Sequence, residues 1–110
     1  MAKYGMSMCV LGMAEEFKED AIAVNALWPK TYISTAAIKN MPGSEPMVKA
    51  GRTPLVMADA AYEILTKESQ LFTGNFVAEE EILREAGITD FSYYKEDSST
   101  PDGELGMDLP

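Results

Sequence analysis

The run of residues 21–28 constrains the fold most, because it is short, almost wholly apolar and followed at once by Pro29. A strand that has no polar face suits a parallel sheet that is covered on both sides. Proline ends such a strand, since it has no N–H group to donate to a neighbouring strand. The sequence therefore predicts one buried strand that stops at Trp28.

A helix is predicted before this strand, over residues 2–18. Apolar residues recur there at the spacing of a single helical stripe: Met6, Val10, Met13 and Phe17. Further apolar residues widen that surface, so we expect the helix to be buried on several sides. Tyr4 is expected to pack in this helix, and Cys9 is expected to be an inert core thiol.

The chain after Pro29 predicts a long irregular segment and then a second helix. Residues 30–52 contain several residues that interrupt helices and strands. Thr53-Pro54 marks a helix start, because an N-cap residue is followed by proline at the first helical position. Apolar residues at helical spacing continue this helix to about Lys67.

A second strand and a third helix are predicted further along the chain. Residues 71–77 have the composition of a strand with Gly74 inside it, and residues 79–86 form a short acidic helix. Gly87 is expected to end that helix. Beyond Tyr94 the composition turns to serine, proline, aspartate and glycine, which predicts disorder.

The order of helix, strand, loop, helix and strand indicates the α/β fold class. Two strands do not make a stable sheet alone. Their partner strands must come from elsewhere, and we therefore expect the chain to be a fragment of a larger domain.

Composition and charge exclude several functions. The net charge is −9, and most of it lies in residues 78–110, which hold two basic and ten acidic side chains. This acidity disfavours nucleic-acid binding and leaves no basic patch for anionic lipid. The absence of histidine and the single cysteine disfavour a structural metal site. No apolar run is long enough to predict a transmembrane helix.

Four stretches resemble the last third of short-chain dehydrogenases in order and spacing. They are residues 2–7 (AKYGMS), 24–29 (VNALWP), 33–35 (IST) and 72–77 (FTGNFV). The hydroxysteroid dehydrogenase-like branch of the family gives the narrower match. The resemblance implies that residues 1–94 are the C-terminal fragment of a Rossmann-type doubly wound parallel sheet, with about two strands and three helices. Residues 95–110 are expected to be an acidic, disordered tail.

Lys3 matches the catalytic lysine of that family, which holds the cofactor ribose and lowers the pKa of a tyrosine four residues earlier. That tyrosine would precede Met1, so we expect a truncated gene product or a fragment that is inactive alone. The alternative for Lys3 is a solvated lysine at a helix start. Tyr4 cannot replace the missing tyrosine, because adjacent helical residues point about 100° apart.

The resemblance also implies that residues 29–35 form a cofactor-binding loop. Pro29 matches the start of this loop, Ile33 would offer its backbone to the nicotinamide carboxamide, and Thr35 would meet the cofactor phosphates. Lys30 replaces the usual glycine, and the loop is one residue longer than the common pattern. Lys30 is expected to be solvated, with a phosphate contact as the alternative. An ordinary surface turn is the alternative for the whole loop.

Three further features lie outside the helix of Lys3 and the loop at residues 29–35. The segment 36–52 resembles the region that covers the substrate, where Met41 and Met47 would supply adaptable apolar contacts, and a flexible surface loop is the alternative. Gly74 is expected to allow close backbone approach within the second strand. The run 79–81 of three glutamates is expected to be a solvated face at a helix N-terminus rather than a metal site.

The resemblance implies an NAD(P)-dependent oxidoreductase that interconverts a hydroxyl and a carbonyl group, with a lipid-like substrate as one option. NAD and NADP remain alternatives as cofactor. The competing hypotheses are a non-catalytic acidic interaction module and a subunit completed by a separate chain. We expect a homo-oligomer formed through helix 2–18, with no nucleic acid bound and no membrane span. An intracellular location is expected, in the cytoplasm or alternatively in peroxisomes or mitochondria.

Overall fold

The computed structural model describes residues 2–101 and 105–106 of the chain. Its helices are α1 (Ala2–Glu16), α2 (Ala36–Lys39), α3 (Glu45–Lys49), α4 (Leu55–Leu65) and α5 (Glu79–Glu85). Its strands are β1 (Ala26–Trp28) and β2 (Phe76–Ala78), and short 3-10 turns occupy Lys18–Asp20 and Ser92–Tyr94. Within these residues, none of the helices combines the length and the hydropathy that crossing a bilayer requires.

The two strands pair in parallel, with Leu27 opposite Val77 at the centre of the register. Both strands are shorter than predicted, because hydrogen bonds from the Asn25 side chain replace backbone-to-backbone bonds just before the strands begin. Asn25 donates from its Nδ2 to the carbonyl of Phe72 at 3.0 Å, and its Oδ1 accepts from the backbone N–H of Asn75 at 3.0 Å. The α/β prediction is confirmed, and the sheet within the described residues is two-stranded.

Gly74 lies in the turn before β2 rather than inside the strand, so this part of the prediction is wrong. Its φ of +73° is in the left-handed region, which glycine adopts without steric cost. A Cβ placed on Gly74 would meet the Cβ of Ala14 at 3.5 Å, which is an ordinary contact. The backbone conformation, and not close approach, explains glycine at this position.

The hydrophobic core lies between α4, α5 and the turn that follows α5. Its most buried side chains include Val56 and Ala60 of α4 and Ile82 and Leu83 of α5. The start of α4 agrees with the prediction, since Pro54 already has helical dihedral angles. The end of α5 also agrees: Gly87 has a φ of +102°, and the N–H of Ile88 binds the carbonyl of Leu83 at 3.0 Å.

The first helix is buried on one narrow stripe only, so the prediction of burial on several sides is wrong for the described residues. Val10 and Ala14 are buried, whereas Met6 is 63% exposed and Met13 is 38% exposed. The buried stripe is therefore rotated from the predicted one. Tyr4 and Cys9 are exposed rather than packed, because nothing in the described chain covers their side of α1.

The segment 30–52 is more ordered than predicted, because it contains α2 and α3. Thr35 caps α2, with its Oγ1 accepting from the N–H of Ile38 at 3.4 Å. Residues 95–101 and 105–106 lie against this segment: Lys95 pairs with Arg52 in an antiparallel bridge, and Gly106 donates to the carbonyl of Ala50 at 2.8 Å. The predicted domain end at residue 94 and disorder beyond it stay predictions. Residues 102–104 and 107–110 of the predicted tail lie outside the described residues.

Candidate functional site

The carboxyl ends of β1 and β2 lie side by side, and chemically active residues follow both strands. Pro29 and Lys30 follow β1, and Glu79 and Glu80 follow β2 directly as the first residues of α5. Open α/β sheets bind ligands outside the carboxyl ends of their strands. This edge is therefore the place in the fold where a functional site is expected.

Glu79 is the most deeply buried charged residue at this edge. Its residue surface is 0% exposed. One carboxylate oxygen, Oε2, accepts from the backbone N–H of Lys30 at 2.7 Å, and Oε1 lies 3.4 Å from Nη1 of Arg52. Burial raises the pKa of Glu79 above its usual value, and the bonds from Lys30 and Arg52 oppose this shift without cancelling it.

Glu80 joins three cations at the same edge. Its Oε2 binds the ammonium of Lys30, and its Oε1 lies 3.2 Å from both Nη2 of Arg52 and Nη2 of Arg84. Burial favours the neutral acid, but the hydrogen bonds from Lys30 and Arg52 outweigh burial and lower the pKa of Glu80. Glu80 is therefore the centre of a charge network that it forms with Lys30, Arg52 and Arg84.

Arg52 links this network to the loop after β1. Its side chain is 5% exposed, and its guanidinium carbon lies 5.0 Å from the centroid of the Phe91 ring. Its backbone N–H donates to the carbonyl of Tyr32 at 2.8 Å, and its carbonyl accepts from the N–H of Ser34 at 2.9 Å. One residue thus binds the loop with its main chain and the two carboxylates with its side chain.

The prediction that the three glutamates form a solvated face is wrong for two of them. Glu79 and Glu80 are buried and paired, and only Glu81 is exposed. The Lys30 side chain is 39% exposed, which agrees with the prediction of a solvated lysine, but its ammonium also pairs with Glu80. The position of these residues in the chain is the signal that could have predicted their pairing, because residues that directly follow two neighbouring parallel strands meet at one edge of the sheet. The described residues contain no group of side chains suited to holding a metal ion.

The predicted cofactor loop lies across this edge. Pro29 is half-buried where β1 ends, and Ile33 is 8% exposed with its side chain in the core. Thr35 is exposed, and its N–H donates to the carbonyl of Ile33 at 2.8 Å. Between them, Ser34 donates from its Oγ to Glu96 at 2.7 Å. The structure brings these loop residues together, and their roles in cofactor binding stay predictions.

Lys3 lies on a different element from that loop, on the exposed first turn of α1. Its position continues the inward stripe of the helix, since Ser7, Val10 and Ala14 follow it at i+4, i+7 and i+11. Among residues 2–101 and 105–106, it forms no ion pair.

Two shallow depressions of about 290 and 240 Å³ lie on other parts of the surface, at residues 68–70 and along α2 and α3. None of the predicted site residues lines either depression.

Proteins named hydroxysteroid dehydrogenase-like protein 2 resemble this chain over most of its length. The identity is 60% over 94 residues for the Xenopus tropicalis protein, 56% over 101 residues for Danio rerio and 57% over 94 residues for Homo sapiens. These alignments cover 86%, 92% and 86% of the chain, and 22%, 24% and 22% of the relatives. The chain therefore spans less than a quarter of their length. No family model matches the chain.

Two crystal structures match the fold. One is a short-chain dehydrogenase from Mycobacterium thermoresistibile, with a TM-score of 0.85 and 47% identity over 99% of this chain and 38% of that one. The other is described as a dehydrogenase from Xanthomonas campestris, with a TM-score of 0.82 and 46% identity over 96% and 37% of the two chains. The chain is thus homologous to hydroxysteroid dehydrogenase-like protein 2, and its α/β structure matches part of the Rossmann fold of short-chain dehydrogenases.

Proposed function

We propose that this chain is part of an NAD(P)-dependent oxidoreductase that interconverts a hydroxyl and a carbonyl group. One observation carries the proposal: the loop at residues 29–35 is fixed across the carboxyl edge of two parallel strands by buried polar contacts. Nucleotide cofactors bind at this edge in doubly wound sheets. NAD and NADP both remain candidates as cofactor.

In this proposal each loop residue has a separate role. Pro29 ends β1 and starts the loop, and Ile33 presents its main chain to the nicotinamide carboxamide. The side chain of Ile33 supports this role, since its burial in the core anchors the main chain beside it. Thr35 is exposed, so its hydroxyl is accessible to a cofactor phosphate.

Lys3 would hold the ribose hydroxyls of the cofactor and lower the pKa of a neighbouring tyrosine. Its place on the inward stripe of α1 supports this role. Ala14, on the same stripe, lies beside the turn at Gly74, at the amino edge of the sheet. Lys3 is eleven residues earlier, so it lies about 16 Å along the helix axis from that edge. A helix antiparallel to the strands would direct Lys3 toward the carboxyl edge.

The substrate is proposed to be a lipid-like alcohol or ketone, covered by the segment that contains α2 and α3. The names of the homologous proteins support a hydroxysteroid-like substrate. Met41 in this segment is 52% exposed and Met47 is half-buried, so both can adapt to an apolar ligand.

The location is proposed to be intracellular, because the relatively reducing interior of the cell suits an exposed free thiol at Cys9.

A homo-oligomer is proposed to form through α1. Large apolar side chains on this helix are exposed in the described chain: Tyr4, Met6, Met8, Leu11 and Met13. Exposed apolar patches of this kind mark interaction sites or cause aggregation. Sedimentation of the chain at increasing concentration tests this proposal.

The cofactor proposal is tested with a chimera in which residues 2–94 replace the matching segment of the Mycobacterium thermoresistibile dehydrogenase. Titration with NADH and with NADPH, followed by nicotinamide fluorescence, gives the dissociation constant of each cofactor. We expect the chimera to bind at least one of them. Lys3→Ala should weaken that binding by about tenfold, because a charged hydrogen bond to ribose is lost.

Lys18→Ala is the matched control, because Lys18 is an exposed lysine just beyond the same helix. It should leave the dissociation constant within about twofold of the parent chimera. A folded chimera that binds neither cofactor contradicts the proposal. Equal binding by the Lys3→Ala and Lys18→Ala chimeras contradicts the assigned role of Lys3.

A further inference from the structure

We propose that Glu79 is a positioning residue, which sets the conformation of the loop at residues 29–35 for cofactor binding. The inference rests on the proposed function, because it assumes that this loop meets the cofactor. It adds a residue from the other strand's carboxyl end, 49 positions after Lys30 in the chain. Glu79 acts through the loop backbone and does not touch the cofactor itself.

The direct contact is at the start of the loop. Glu79 Oε2 accepts from the backbone N–H of Lys30 at 2.7 Å, in a bond whose Glu79 side is fully buried and whose Lys30 side is half-buried. A carboxylate binds a backbone N–H more strongly than a neutral acceptor does, and burial strengthens the bond further. The peptide plane between Pro29 and Lys30 is therefore held in one orientation as the chain leaves β1.

The second contact reaches the middle of the loop through Arg52. Glu79 Oε1 lies 3.4 Å from Nη1 of Arg52, whose main chain binds the carbonyl of Tyr32 and the N–H of Ser34. The Glu79 carboxylate thus holds residue 30 directly and residues 32–34 through Arg52. Ile33 lies between the two bonds, so its main chain is fixed on both sides.

Glu79 is itself held on a rigid platform. It is the first residue of α5 and follows β2 without an intervening loop. The next turn of α5 inserts Ile82 and Leu83 into the core, where they are 2% and 1% exposed. A buried ion pair is a costly way to stabilise a fold, since apolar residues of equal size often do as well or better. A requirement for one loop conformation accounts for keeping a charge here.

The first test measures backbone amide hydrogen exchange in the 110-residue chain. In Glu79→Ala the amide of Lys30 should exchange about tenfold faster, because its acceptor is gone. In Glu79→Gln an acceptor for Lys30 remains, whereas Arg52 loses its ion pair with residue 79 and keeps only the one with Glu80. The amide of Ser34 should therefore exchange faster while that of Lys30 stays protected. Glu81→Gln is the matched control, because Glu81 is the exposed neighbour in the same helical turn.

The second test measures cofactor binding in the chimera defined above. Glu79→Ala should raise the dissociation constant for the bound cofactor by about tenfold, Glu79→Gln by less, and Glu81→Gln by no more than about twofold. Such graded rescue by glutamine is not expected if Glu79 only stabilises the fold. Melting temperatures identify any variant that fails to fold.

The outcomes separate the two proposals. If the parent chimera binds neither NADH nor NADPH, the proposed function fails, while the exchange data still report whether Glu79 holds the loop. If the parent binds and the folded Glu79→Ala chimera binds equally well, only the positioning role is overturned. If Glu79→Ala does not fold, unchanged exchange at Ser34 in Glu79→Gln overturns it.

Discussion

Replacing Arg52 with alanine should destabilise the chain far more than replacing Arg84. The two arginines form a matched pair, because each lies 3.2 Å from Oε1 of Glu80 and each stacks over Phe91, at 5.0 and 4.8 Å from the ring centroid. They differ in burial: the Arg52 side chain is 5% exposed and that of Arg84 is 53% exposed.

The expected magnitudes follow from this difference in burial. Removing one partner of a buried ion pair costs about 3–5 kcal/mol in the free energy of unfolding, because the other charge stays buried without compensation. Here the uncompensated charge is Glu79, which is 0% exposed. Removing the exposed member of a pair four residues apart, Arg84→Ala, costs about 0–1 kcal/mol. Since small domains unfold with about 5–15 kcal/mol, the first loss is a large share of the total.

Urea unfolding followed by tryptophan fluorescence measures both losses. The chain has a single tryptophan, Trp28, which lies in β1 with its ring 5.6 Å from that of Phe76. A double variant, Arg52→Met with Glu79→Gln, should recover most of the stability, because uncharged residues of similar size replace the pair. Equal destabilisation by Arg52→Ala and Arg84→Ala would refute the reasoning from burial.

Three further predictions concern other parts of the chain. Gly87→Ala should lower the free energy of unfolding in urea by about 1–2 kcal/mol, because residue 87 has a positive φ. Gly12→Ala should raise it by roughly 0.5–1 kcal/mol, because Gly12 lies in the interior of α1 with open space around it. The opposite order would contradict both assignments. The hydrogen bond from Ser34 lowers the pKa of Glu96 below that of a free glutamate. The stability that this bond contributes is therefore fully present above the pKa of Glu96 in the unfolded chain, and it is lost as the pH falls through the lowered pKa of the folded chain. Glu96→Gln should therefore flatten the acid side of the stability–pH curve, and an unchanged slope would exclude this contact. Leu11→Glu should shift the chain toward monomer in sedimentation, and unchanged association would place the interface elsewhere.

The sequence predicted those elements whose signals are local. The helix α4 has an N-terminal Thr-Pro and a clear apolar spacing, and α5 has its glycine stop, so both were predicted with nearly correct bounds. The strand ends were not predicted, because Asn25 and Asn75 replace ladder bonds with side-chain bonds across 50 positions. In α1 the apolar residues surround the helix, so their periodicity did not distinguish the buried stripe from the exposed ones.

The charge network escaped prediction for a similar reason. A glutamate run at a helix N-terminus has a sufficient local explanation in the helix dipole. The carboxylate of Glu79 is bound by Lys30 and Arg52, which are 49 and 27 positions away in the chain. The parallel register of β1 and β2 brings residues 30 and 79 together, and a bridge between Ile33 and Arg52 places Arg52 beside them. The resemblance identified the loop, and the structure identified what holds it.

Cofactor-dependent amide exchange in the chimera tests the central claim most directly, because it locates the contact as well as detecting it. With saturating NADH or NADPH, the account predicts slower exchange at the amides of Ile33 and Thr35. It also predicts unchanged exchange in the exposed last turn of α4, around Tyr62. Cofactor binding that leaves the amides of residues 30–35 unaltered would contradict the assignment of this loop.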